Sequence, residues 1–355
     1  MATQDALRRF IGAMEVVYGP FQDLTEEEAG LWSPPENPGA GGHRGRYLWT
    51  DAFGVVNFVT LFKETSSPKY LVLAKRLVQT VHDVLGRTRD GLARLPGATD
   101  DEPLSGGLRI GKLSASGSDG DGQYHHYLTL WMFALNRVSL ATGDSKYNDL
   151  AIQLAKAIHP RFIIHRPSGK LRMVWKISMD MKHILVASEG HLDAATGHVI
   201  CRLLQRTAVG QEALLKQEID DYLQIMSCDG KLSPSGDTLD LGMGLWMCHF
   251  FKDEPWAAEL GDKGLRLAKR TLSEDSSTML RDASQRLMFR EVGACMGVSC
   301  YGGDDDLESK VAALMEFWEK HMEQQEDEDL RPISLVMYSA ALIVGAFHDG
   351  YLGDL

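Results

Sequence analysis

"YLTLWMFALNRVSLATGDSKYNDLAIQLAKAI", residues 127–158, holds two kinds of helix in succession. From Tyr127 to Thr142 apolar and small residues occupy most of the helical circumference, and a helix of that kind is buried on all sides. After the Gly143–Asp144–Ser145 break, Ala151, Leu154, Ala155 and Ile158 recur at helical spacing with Lys146, Asp149, Gln153 and Lys156 between them. One face of this second helix packs and the other is wet. A buried helix followed by a half-buried one makes a helical hairpin with an inner and an outer member.

The same alternation runs along the chain. Five further segments are apolar on most of their surface, rich in Gly and Ala, and polar chiefly at their starts: residues 46–62, 188–206, 237–251, 288–300 and 330–347. Amphipathic followers stand at 68–86, 144–162, 211–226, 254–272 and 306–325. The sixth inner segment has no follower, and the amphipathic stretch 2–17 can serve as its partner if a ring closes. Six inner and six outer helices, with few β-branched runs of period 2, predict an all-α (α/α)6 toroid occupying residues 1–355 as one domain. The architecture resembles the six-hairpin glycosidase superfamily, which includes glycoside hydrolases and, in a similar barrel, N-acylglucosamine 2-epimerases. An α-solenoid is the alternative, although its repeats are more regular in length.

At 44% hydrophobic and 24% charged residues the composition is that of a folded globular chain, not a disordered or fibrous one. A formal charge of -12 argues against nucleic acid and anionic membranes as partners. The start of the chain reads as an amphipathic helix with internal charges, and no apolar run of about 18 residues occurs, so a cytoplasmic location is expected. Five cysteines, without a CxxC pair or a Cys/His ligand spacing, predict buried thiols and no metal.

Three long polar connections, residues 31–47, 97–124 and 165–189, precede the first three inner segments, and in a toroid they would share one rim. A short β-hairpin is expected around Pro167–Lys170. The resemblance further implies that the starts of the inner helices converge on a cleft, where free N–H groups favour polar ligands. Cleavage of a glycosidic bond calls for two carboxyl groups. Asp51, Glu189, Asp240 and Glu291 stand at the starts of four inner segments and are the catalytic candidates. Trp49, Tyr124, His126, His191, Arg109 and Arg290 are the substrate-binding candidates, since rings stack on sugars and cations hold acidic groups. His125 and His126 point about 100° apart on a helix, so one of them faces the cleft, and His126 is preferred. His191 and His198 are too far apart for an i, i+4 chelate.

The expected function is that of a glycoside hydrolase acting on a small saccharide without a cofactor. A sugar epimerase would instead use histidines such as His126 and His191, with His249 or His348. Two further alternatives come from other classes. Asp304, Asp305 and Glu308 imitate the aspartate-rich element of magnesium-dependent terpene cyclases, although acids at a helix start explain them more simply. A toroid that binds a sugar or protein partner without turnover is the other. The acidic run 323–330 reads as a solvated loop.

Overall fold

The computed structural model describes residues 2–353 apart from 118, 166–169, 209, 211–212 and 323–327. Among the described residues there are thirteen α-helices and five strands of two or three residues. None of these helices is long and apolar enough to cross a membrane. Backbone contacts gather the chain into two compact units, one built from Asp23–Lys231 and the other from the residues up to Gln22 with Leu232–Tyr351.

The second of these units contains α1 (Gln4–Tyr18), α9 (Thr238–Cys248), α10 (Pro255–Thr271), α11 (Met288–Tyr301), α12 (Asp305–His321) and α13 (Arg331–Leu342). The expected pairing of the first helix with the last inner segment is present: α1 packs on α13, where the Ser339 hydroxyl donates to the Phe10 carbonyl at 3.4 Å. Helices α9 and α11 lie in very close contact. A Cβ at Gly242 would fall 2.1 Å from the Gly293 carbonyl oxygen, and one at Gly297 would fall 2.0 Å from that of Gly242. Glycine therefore sets the helix separation here. Asp304 is the N-cap of α12, accepting from the Leu307 amide at 3.1 Å and pairing with Lys269 at 2.5 Å, while Asp306 pairs with Lys310. The aspartate-rich stretch thus works as a helix start.

The other unit contains α2 (Glu26–Leu31), α3 (Leu48–Thr65), α4 (Lys69–Leu85), α5 (His125–Thr142), α6 (Lys146–Phe162), α7 (Asp193–Thr207) and α8 (Lys216–Met226). Every residue of α3 from Leu48 to Leu61 is buried, whereas α4 buries Tyr70, Leu73, Ala74, Leu77, Val78, Val81, His82 and Leu85 on one face. Inner and outer helices therefore differ as their polarity patterns require. Left-handed Ser66 ends α3 and left-handed Gly143 ends α5, each donating its N–H to the last turn.

Two small sheets, which periodicity did not foretell, complete this unit. Strands β2 (Ile163–His165) and β3 (Leu171–Met173) pair antiparallel, giving the expected hairpin its arms, while its tip at 166–169 lies outside the described residues. Strands β1 (Gln123–Tyr124), β4 (Lys176–Ile177) and β5 (Ile184–Val186) form a sheet of order β1-β4-β5. The acidic run at 323–330 falls mostly outside the described residues.

Candidate functional site

The three long connections of the Asp23–Lys231 unit meet one another. The His43 amide donates to the Gly111 carbonyl at 2.8 Å, and the Leu48 amide, opening α3, donates to Ile110 at 3.0 Å. Gly42 and Gly111 make this crossing possible, since a Cβ on either would lie within about 2.2 Å of the Arg46 carbonyl oxygen. Gln123 ties the second connection to the third, donating from Nε2 to the carbonyls of Gly106 at 2.9 Å and Met179 at 2.8 Å.

Around these crossings the heads of α3 and α5 and the edge of the β1-β4-β5 sheet assemble a basin of rings. Trp49 meets Tyr127 edge-on at 5.3 Å and His126 at 5.9 Å between centroids. Tyr124 stacks on Tyr127 at 5.3 Å and meets Trp175 edge-on at 5.1 Å. The Tyr47 and Tyr127 hydroxyls share a 2.6 Å hydrogen bond. Trp49 and Tyr124 are buried, whereas Tyr47, His126, Tyr127 and Trp175 are half-buried. The His125 amide, donating to the Trp175 carbonyl at 3.0 Å, fixes the sheet against the head of α5.

His126 is partly open among these rings, with 37% of its side chain exposed. Its Nδ1 lies 3.8 Å from Asp193 Oδ1, in the first turn of α7. Partial burial pushes its pKa down from the ordinary histidine value, so the ring is neutral at pH 7. The neighbouring His125 points the other way: it is fully buried, bonded through Nε2 to the Tyr222 hydroxyl at 2.8 Å, and pushed down to about 3 by burial. The adjacent histidines divide between site and core, as two residues 100° apart on a helix must.

Residues 188–190 lie along this edge. Trp175 Nε1 donates to the Ser188 hydroxyl at 3.0 Å, and a Cβ on Gly190 would strike Asp193 Oδ2 at 2.0 Å and Trp175 Cβ at 3.1 Å. Between them Glu189, largely buried, is paired with Lys231.

The other candidates are placed differently. Asp51 is fully buried and accepts from Arg46 Nη1 at 2.9 Å, while Arg46 Nη2 donates to the Pro35 carbonyl at 2.7 Å. Arg109 is also fully buried, donating to Asp121 at 2.9 Å and to the carbonyls of Val84 and Arg87 at 2.8 and 3.0 Å. Both tie the connections to their neighbours in the fold. His191 is exposed and apart from the ring contacts.

In the other unit, Glu291 is buried and takes both arms of Arg286, at 2.9 and 2.6 Å, along with Trp318 Nε1 at 2.8 Å. Asp240 is exposed in the first turn of α9, and Arg290 pairs with Asp237, the N-cap of that helix. His249 is buried and accepts from the Asp349 amide at 2.9 Å. Tyr47, Tyr127, Trp175 and Lys176 are not among the expected catalytic or substrate-binding residues. The one available signal was the second tyrosine of "YHHY", a residue beyond the favoured histidine.

No protein-family model matches the chain, and no curated protein matches it in sequence. Solved structures do match. A family 76 alpha-mannanase from Bacteroides thetaiotaomicron superposes with a TM-score of 0.60 at 11% identity, over 95% of this chain and 94% of that one. An inactive variant of the family 76 alpha-1,6-mannanase of Salegentibacter sp. HEL1_6, in complex with alpha-1,6-mannotriose, gives 0.59 at 11% identity, over 96% and 99%. A sugar epimerase from a ruminal bacterium gives 0.54 at 12% identity, over 83% and 87%. This likeness shows the fold, which is an (α/α)6 toroid.

Proposed function

We propose that the chain is a carbohydrate-active enzyme, a glycoside hydrolase acting on a small saccharide at the ring basin, with residues 1–355 serving as one toroid domain. The observation that carries this reading is half-exposed His126, set among Tyr47, Trp49, Tyr124, Tyr127 and Trp175 and 3.8 Å from Asp193. Aromatic faces suit the C–H faces of a pyranose, and the polar groups beside them bond its hydroxyls. Glu189 and Asp193, four residues apart along one edge of the basin, are the carboxyls we assign to acid and base work. Neutral His126 would take up or return the proton that Asp193 orients. The saccharide complexes of the mannanase-fold neighbours support a sugar ligand. All five cysteines are free thiols, which supports the cytoplasmic reading.

The test is turnover of a panel of oligosaccharides, beginning with alpha-1,6-mannotriose, by the natural chain and by Glu189→Gln and Asp193→Asn. Each substitution should lower kcat by about 10²-fold or more with unchanged helical circular dichroism. Full activity in both variants would refute the assignment. A second reading, epimerisation next to a carbonyl, is favoured by the neutral histidine beside a carboxylate. It predicts incorporation of solvent deuterium at the epimerised carbon, which glycoside hydrolysis does not produce.

A further inference from the structure

We infer that Tyr222 is a positioning residue that sets how closely His126 and Asp193 approach one another; the use of that pair in proton work rests on the saccharide reading given above. The two members stand on different helices, His126 at the head of α5 and Asp193 in the first turn of α7. Their separation of 3.8 Å therefore depends on how those helices are held together. Tyr222, from α8, bears on both of them.

Toward α5 the contact is polar. The Tyr222 hydroxyl and His125 Nε2 share a 2.8 Å hydrogen bond, and the two rings meet edge-on at 5.5 Å between centroids. His125 is fully buried, and its Nδ1 has no hydrogen-bond partner among the described residues, so the hydrogen bond that fixes this ring is the one to Tyr222. His126 is the next residue along the backbone and turns with it. Toward α7 the contact is steric. A Cβ on Gly197 would fall 2.7 Å from Tyr222 Cζ and 2.8 Å from Cε1 and Cε2, so the tip of the phenol occupies the room that a side chain would need. Gly197 follows Asp193 by four residues, one turn along the same face of α7.

His159 of α6 closes the seat, meeting Tyr222 edge-on at 5.4 Å and standing 3.3 Å from Asp221. Tyr222 is itself buried, and burial above all pushes its pKa up, so the phenol is protonated at pH 7. One buried side chain thus acts on the residue beside His126 and on the helix face that carries Asp193. Removing its hydroxyl leaves His125 Nε2 buried without a partner, a penalty that the first turn of α5 relieves by moving. His126 then shifts relative to Asp193.

The test compares crystal structures and kinetics of the natural full chain, Tyr222→Phe, and Tyr222→Phe combined with His125→Phe. In Tyr222→Phe the separation of His126 and Asp193 should change by about 0.5 Å or more. On the oligosaccharide panel, alpha-1,6-mannotriose first, kcat should fall about tenfold with KM within about twofold, because the buried phenol is not a saccharide contact. The double variant replaces both polar partners by apolar rings and should bring kcat back to within about threefold of the natural chain. Gly197→Ala, which presses on the same ring from α7, should lower kcat as Tyr222→Phe does. An unchanged separation in Tyr222→Phe overturns the inference, as does an unchanged kcat or a double variant no better than the single one. A natural chain that turns over no oligosaccharide refutes the proposed function, while the crystallographic separation still decides whether Tyr222 sets the pair.

Discussion

Replacing Arg46 by methionine strips the fully buried Asp51 of the guanidinium that stands 2.9 Å away. At an effective dielectric constant of about 20, two charges at that distance attract by about 6 kcal/mol. The loss is capped, because Asp51 can take up a proton instead, and protonating a carboxyl of ordinary pKa costs about 1.4 kcal/mol for each pH unit above 3.9. The penalty should therefore be about 3–4 kcal/mol at pH 7, within the range for breaking a buried pair, and about 1.5 kcal/mol at pH 5. With an unfolding entropy of about 2.1 cal/mol/K per residue over 355 residues, this corresponds to a fall in Tm of about 4–5 °C at pH 7 and about 2 °C at pH 5. Thermal unfolding followed by circular dichroism at the two pH values measures both. The control is Arg46→Met combined with Asp51→Leu, which removes both charges and should recover most of the loss. A penalty that does not shrink at pH 5, or a double variant as unstable as the single one, would refute the reasoning.

Three further outcomes are expected. His82, His125 and His249 are each pushed down to about 3 by burial, so between about pH 3 and 6.5 the unfolded chain holds more protons than the folded one. Their contribution is fully present above pH 6.5 and is lost as the pH falls, at up to about 4 kcal/mol per unit for the three together below about pH 5.5; urea midpoints that stay level from pH 7.5 to 5 would contradict it. Gly297→Ala gains helix propensity of about 1 kcal/mol, yet its Cβ would collide with backbone, so a net loss of about 2 kcal/mol in thermal stability is expected and any stabilisation counts against the close α9–α11 packing. Asp304→Ala removes the α12 N-cap and should cost about 1 kcal/mol whether or not magnesium is present. Magnesium-dependent stability of the natural chain that disappears in this variant would show the cap to be an incomplete account.

The helices were legible because burial on all sides and burial on one side leave different polarity patterns, and α3 and α4 show the contrast residue by residue. The β2–β3 hairpin was legible from its turn residues, but the β1-β4-β5 sheet was not: two or three residues are too few for a period to emerge, so Trp175 and Lys176 carried no signal. The site was half legible for another reason. A polar residue at the head of an inner helix looks the same in sequence whether it faces a ligand or neutralises a neighbour. Arg46 with Asp51 and Arg286 with Glu291 are both arginine–acid pairs five residues apart at such heads, and both are buried. His126 and Asp193 come together from different helices, and their separation in sequence gives no hint of it.

The packing of α1 on α13 also imposes an order in time. About 310 residues separate the two helices, so at about 5–20 residues per second a ribosome finishes α13 some 15–60 s after α1 has emerged. Throughout that interval Phe10, Met14 and Val17, buried in the finished protein, have no α13 to cover them. Arg8, Arg9 and Glu15, outside that buried set, keep the waiting helix from being apolar all round. Ribosome-bound chains should therefore expose α1 to protease until the final helix is made, and a chain that stalls before residue 331 is the species in which a chaperone would find it.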